Sequence, residues 1–117
     1  MTQVLTPQMV EARLYALSKE IDESHKELVD AETVYAQTKA DYELALAKHR
    51  LSVNESGVKV TVGDKSDIAL VACESLHMKL AMAEAIVKAA RANAARIRIQ
   101  VDIARSVGTS VRSSMDV

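Results

Sequence analysis

The side chains best suited to chemistry in this chain are its cations. Arg91, Arg98, Arg105 and Arg112 recur every seven residues, in line with His77 and Glu84, and Lys88 and Arg96 flank them. Seven residues are close to two turns of α-helix, so the spacing predicts one basic stripe along a helix. Between Ser75 and Ser113 seven bases stand against two acids. A second basic group, Lys48, His49 and Arg50, precedes a Gly-bearing break, and Lys59 and Lys65 follow it. Cations spaced in this way suit a nucleic-acid backbone, which is recognised by charge without base-specific geometry.

Each group has a competing structural use. If the chain folds back about residue 59, position i faces roughly 118 − i. Arg91 then lies near Glu27, Arg98 near Glu20, Lys88 near Asp30 and Arg96 near Asp22. Such pairs fix register even though exposed ones add little energy. At the break, cations near a helix C-terminus are favoured by the macrodipole. That accounts for one or two of Lys48, His49 and Arg50, but not for Lys59 and Lys65. Glu55, Asp64 and Asp67 dilute this second group.

Nothing else in the chain is spaced for reaction chemistry. There is no Gly-rich phosphate loop, no His-Glu-x-x-His and no cysteine pair. His25, His49 and His77 are scattered, and isolated residues do not make a metal site. Catalysis, a cofactor and a metal are therefore not expected. Cys73 has no partner for an internal disulfide and sits in an apolar stretch, where it reads as a small core residue. Met1-Thr2-Gln3 carries no positive charge and no apolar segment follows it, so no secretory signal is expected. No run is apolar for the roughly 20 residues a membrane span requires. The expected location is the cytoplasm.

The elements that carry these cations follow from composition. Of 117 residues only 3% are aromatic, with three Tyr and neither Phe nor Trp, while 49% are hydrophobic. A core without large aromatics favours thin helix-on-helix packing over a thick sheet-based globule. Three Gly and one Pro leave few turns. The fold expected is all-α: two long antiparallel helices in one hairpin domain, joined by a loop with a short β segment, and oligomeric.

The first helix is expected over 7–52, with Thr6 as N-cap and Pro7 at N1. One heptad line along it reads Leu14, Ile21, Leu28, Tyr35, Tyr42, and its companion Val10, Leu17, Ser24, Ala31, Thr38, Ala45. The loop spans 53–65, and Val58-Lys59-Val60-Thr61-Val62 alternates with the period of a strand. The second helix is expected over 66–107, capped by Ser66 or Asp64 and stopped at Gly108, with a polar tail over 108–117. Its seam lines are Ala69, Leu76, Ala83, Ala90, Ile97, Ala104 and Cys73, Leu80, Val87, Ala94, Val101.

A further apolar set on this helix, Ile68, Val71, Met78, Met82, Ile86, Ile99 and Ile103, is too broad for a hairpin to cover. Self-association is the expected remedy, with Met78, Met82, Ile86, Ile99 and Ile103 at the interface. Charge divides along the chain although the net charge is −1. Glu20, Asp22, Glu23, Glu27, Asp30 and Glu32 make the first half acidic, and the later arginines make the second half basic.

The segment Leu46-Ala47-Lys48-His49-Arg50-Leu51, then a Gly-bearing loop, then an Ala-rich helix closing on Ile97-x-x-x-x-Asp102-Ile103-Ala104-Arg105-Ser106, resembles the UvsY-type recombination mediators of T-even and related phages. The resemblance covers residues 40–110, and Lys48-x-Arg50-Leu51 is its most distinctive feature. It implies an oligomeric, ring-forming protein that binds single-stranded DNA. It also implies partnership with a recombinase, loaded in place of a single-strand-binding protein, in the host cytoplasm. DNA contact carries over to Lys48 and Arg50. The chain departs from that family in lacking its Trp and Phe and in having a shorter loop. The alternative function is a phage scaffold or adaptor coiled coil with no nucleic-acid role.

Overall fold

The computed structural model describes residues 4–57 and 59–115, and those residues form three helices and no strand. Helix α1 spans Pro7–Glu55, α2 spans Val62–Ala72 and α3 spans Glu74–Met115. The chain divides into two compact units, one of Met1–Val29 with Ala89–Val117 and the other of Asp30–Lys88.

Helix α1 starts as its sequence dictates. The Thr6 hydroxyl accepts from the Met9 amide at 3.2 Å, and Pro7 occupies the first position, where an amide hydrogen would have no partner. With no Gly or Pro until residue 57, the helix runs three residues beyond the expected end. It ends where Gly57 takes φ +72°, a left-handed conformation that costs glycine little, and its amide reaches the Asn54 carbonyl at 3.4 Å.

The expected β segment is not formed. Val58 lies outside the described residues, Lys59 to Thr61 have no regular structure, and Val62 already begins α2. Thr61 explains the difference. Its hydroxyl accepts from the Asp64 amide at 3.1 Å, and Asp64 adds an acid to the first turn. A Thr-x-x-Asp start satisfies orphan amides locally, whereas a lone strand leaves its whole edge unpaired. Thr61, and neither Ser66 nor Asp64, is the cap.

The expected single second helix is two helices. Cys73, at φ −104° and ψ 20°, separates α2 from α3, and its amide is shared between the carbonyls of Ala69 (3.0 Å) and Leu70 (3.1 Å). This tightened turn interrupts the ladder without glycine or proline. The ladder resumes at once, with the His77 amide on the Cys73 carbonyl at 2.9 Å.

Gly108 is not a helix stop either, since α3 continues through the expected tail to Met115. Gly108 is buried against α1, where a β-carbon would lie 2.9 Å from Val10 Cγ1. Glycine is used here for close approach, not for chain reversal.

In the first unit Leu17 is fully buried and clusters with Ile97 and Val101, with Ala104 packed against them. Val10 meeting Gly108 and Leu17 meeting Val101 set the two segments antiparallel, each pair summing to 118 as the fold-back register requires. The line Val10, Leu17, Ser24, Ala31 is buried throughout, and the Ser24 hydroxyl is satisfied by the Ile21 carbonyl at 3.0 Å. In the second unit Ala69, Cys73, Ala83 and Val87 are buried, and Tyr42 and His77 rings lie 5.6 Å apart at 49°. Both seam lines expected for the second helix are buried or half-buried at every position. Of the larger α1 line only Ile21 is exposed.

Candidate nucleic-acid interface

Lys48, Arg50, Lys59 and Lys65 all belong to the second unit, around the turn between α1 and α2. Lys48, Arg50 and Lys59 are exposed, and Lys65 is half-buried in the first turn of α2. Among the described residues none of the four forms a salt bridge, although Glu55, Asp64 and Asp67 are close in sequence. Lys48 and Arg50 stand two residues apart on a helix, about 200° round its axis, so they point to different sides of α1. The four are separate cations at one turn, able to hold a flexible polyanion by charge.

The arginine stripe belongs to the first unit, and Arg91, Arg98, Arg105 and Arg112 are all exposed on α3. Its upstream members are differently engaged: Glu84 pairs with Lys88 at 3.3 Å, and His77 meets Tyr42. The expected ion pairs Lys88–Asp30, Arg96–Asp22 and Arg98–Glu20 are not formed. Lys88 finds Glu84 on its own helix, and Arg96 donates to Asn93 Oδ1 at 2.9 Å.

The register is right, so the reason is rotational. Asp22 and Asp30 lie about 200° and 100° round α1 from the buried positions Ser24 and Ala31, away from the seam. The acids that do border Arg96 are Glu20, Glu23 and Glu27, which line a polar groove of about 200 Å³ with it and Arg13. Arg13 crosses to α3 by donating to Gln100 Oε1 at 3.4 Å. Arg112 donates from Nε to the Gly108 carbonyl at 3.4 Å, and with Arg105 and Glu11 it borders a small cleft.

Met78, Met82, Ile86, Ile99 and Ile103, the expected interface, are 57–64% exposed. An apolar groove of about 680 Å³ in the first unit, where Val4, Leu5 and Pro7 face Val107, Val111 and Met115, is not among the sites expected from the sequence. Its source is the continuation of α3 past Gly108. The signal was present, because Gly108 extends the line Cys73, Leu80, Val87, Ala94, Val101 by one heptad.

Stacking platforms are not available at the α1–α2 turn. Tyr35 and Tyr42 are half-buried, Tyr42 against His77, and Tyr15 lies in the other unit under Lys19 Nζ, 4.8 Å from its ring centre. Among the described residues no group of three or more His, Cys, Asp or Glu is placed to hold a metal ion, and no helix is long and apolar enough to cross a membrane. Comparison with family models, curated proteins and solved structures gave no match.

Proposed function

We propose that this chain is a single-stranded-DNA-binding accessory protein of the recombination-mediator type, working as an oligomer to help load a recombinase in place of a single-strand-binding protein. The observation that carries the reading is the set of cations at the α1–α2 turn, Lys48, Arg50, Lys59 and Lys65, none held in a salt bridge among the described residues. The motif Lys48-x-Arg50-Leu51 supports it from the sequence. With no aromatic platform beside them, these side chains contact phosphates by charge, so binding is tolerant of base sequence and sensitive to salt. A single turn binds weakly. Several turns displayed on one assembly act on one strand at high effective concentration.

The test is binding of a fluorescent single-stranded oligonucleotide across a salt series, for the native chain and for Lys48→Ala/Arg50→Ala. The reading expects weaker binding and a shallower salt dependence in the variant. Unchanged affinity and slope would remove the turn as the site.

A second reading is an assembly or adaptor coiled coil without nucleic-acid binding, and the exposed apolar face of α3 favours it. It expects an oligomer that ignores the oligonucleotide at about 0.1 M salt, where loose charge attraction is screened.

A further inference from the structure

Helix α3 is apolar on two sides. One side is the seam with α1. The other carries two further heptad lines, Met78, Ala85, Ala92, Ile99 and Met82, Ala89, Arg96, Ile103, and all eight residues are exposed. Spaced alternately by three and four residues, they form a coiled-coil seam nearly opposite the first.

We infer that this outer seam is covered by the same seam of a second copy, running antiparallel about a two-fold axis near residues 90 and 91. The order of sizes along it supports that partner. It reads large, large, small, small, then Ala92, Arg96, and large, large again. Reversing the helix about residues 90 and 91 sets Met78 opposite Ile103, Met82 opposite Ile99 and Ala89 opposite Ala92. Large side chains then meet at both ends and alanines at the crossing, where the backbones approach most closely. An isologous interface needs this kind of self-complementarity.

Charge selects the direction. Parallel pairing in register would stack Arg96 on Arg96. Antiparallel pairing puts Arg96 opposite Ala85 and holds the two arginines about 16 Å apart along the axis, at 1.5 Å per residue. Arg96 also turns aside from the seam, toward Asn93. Area is adequate as well. With Met78, Met82, Ile99 and Ile103 each 58–64% exposed, and with Ile86 and the alanines beside them, each copy offers roughly 600 Å². A pair then buries on the order of 1,200 Å², the lower bound of stable specific interfaces.

Cysteine cross-linking in the full chain tests this, with Cys73→Ala as background so that no native thiol competes. Under mild oxidation, Met82→Cys mixed with Ile99→Cys should give a cross-linked dimer, while either variant alone should not. The two Met82 positions would lie some 25 Å apart in such a pair. If each variant cross-links to itself, the pairing is parallel and the inference fails. It also fails if the native chain, helical by circular dichroism, sediments as a monomer at about 100 μM. A native dimer beside a monomeric Cys73→Ala chain reports a loss caused by the background substitution, and the cross-linking is then read in Cys73→Ser. None of these outcomes depends on DNA binding.

Discussion

Val10 of α1 packs on Gly108 of α3 where a side chain on α3 would keep the helices apart: a β-carbon on Gly108 would stand 2.9 Å from Val10 Cγ1. Real β-carbons do not approach that closely, and valine has little rotamer freedom with which to retreat. The residue that sequence grammar reads as a helix stop thus lets α1 and α3 close together inside a continuous helix.

Gly108→Ala therefore sets two effects against each other. Alanine favours a helix interior by about 1 kcal/mol over glycine. Overpacking of this kind costs about 1–3 kcal/mol. The contact is backbone-near and stiff on both sides, so the expected result is a net loss of about 1 kcal/mol in urea unfolding. Val10→Ala removes the obstructing methyls, and in that background Gly108→Ala should become stabilising. Additive effects of the two changes would show that they do not touch.

The buried line of α1 contains one polar residue, Ser24, whose hydroxyl donates to the Ile21 carbonyl at 3.0 Å. This bond is local to the helix and does nothing to join it to α3. Serine in a helix interior is less favourable than alanine, and its backbone bond competes slightly with the ladder. Ser24→Ala should leave the fold intact and stabilise it by about 0.5 kcal/mol, read as a raised unfolding midpoint. A loss above about 1 kcal/mol would mean that Ser24 holds a contact beyond its own helix.

What could be read in the sequence was periodicity; geometry at single residues was harder. Val10, Leu17, Ser24 and Ala31 are buried, and the lines through Val87 and Ile97 are buried or half-buried, because heptad spacing fixes a face whatever happens at the ends. The fold-back register follows from a reversal at residue 59, and Val10 with Gly108 keeps it. The alternation over 58–62 and the Thr-x-x-Asp cap share residues, and the cap forms in place of the strand because it needs no partner. The break at Cys73 carries no glycine or proline to announce it. Lys88–Asp30 and Arg96–Asp22 do not form although the register holds, because register fixes height along a helix and not the angle around it. The cations at the α1–α2 turn were legible as residue types. That Lys48 and Arg50 diverge around α1 follows from the sequence too, since the helix expected over 7–52 already contains both.

The cap that replaced the strand can be tested directly. Thr61→Ala removes the acceptor for the Asp64 amide and should cost about 1 kcal/mol. The loss should be local, showing as faster hydrogen exchange at Asp64 and in the first turn of α2, with exchange around Leu17 and Ile97 unchanged. Thr61→Ser keeps the hydroxyl and should restore protection. If Thr61→Ala exchanges no faster, the start of α2 is held by something other than its cap.

The two basic groups make separable predictions about single-stranded DNA. Each phosphate neutralised contributes about 0.7 to the slope of log affinity against log salt on a single strand. If the α1–α2 turn is the site, Lys48→Ala/Arg50→Ala should lower the slope by up to about 1.4 per engaged chain. Arg98→Ala/Arg105→Ala removes the same charge from an exposed stripe in the other unit and should leave the slope nearly as it was. Both pairs lie on exposed helix surface, where alanine is tolerated, so helicity should be unchanged and a difference between them reports position alone. Equal losses from the two variants would mean that net charge, and not the turn, governs binding. A loss confined to the arginine pair would move the site to α3.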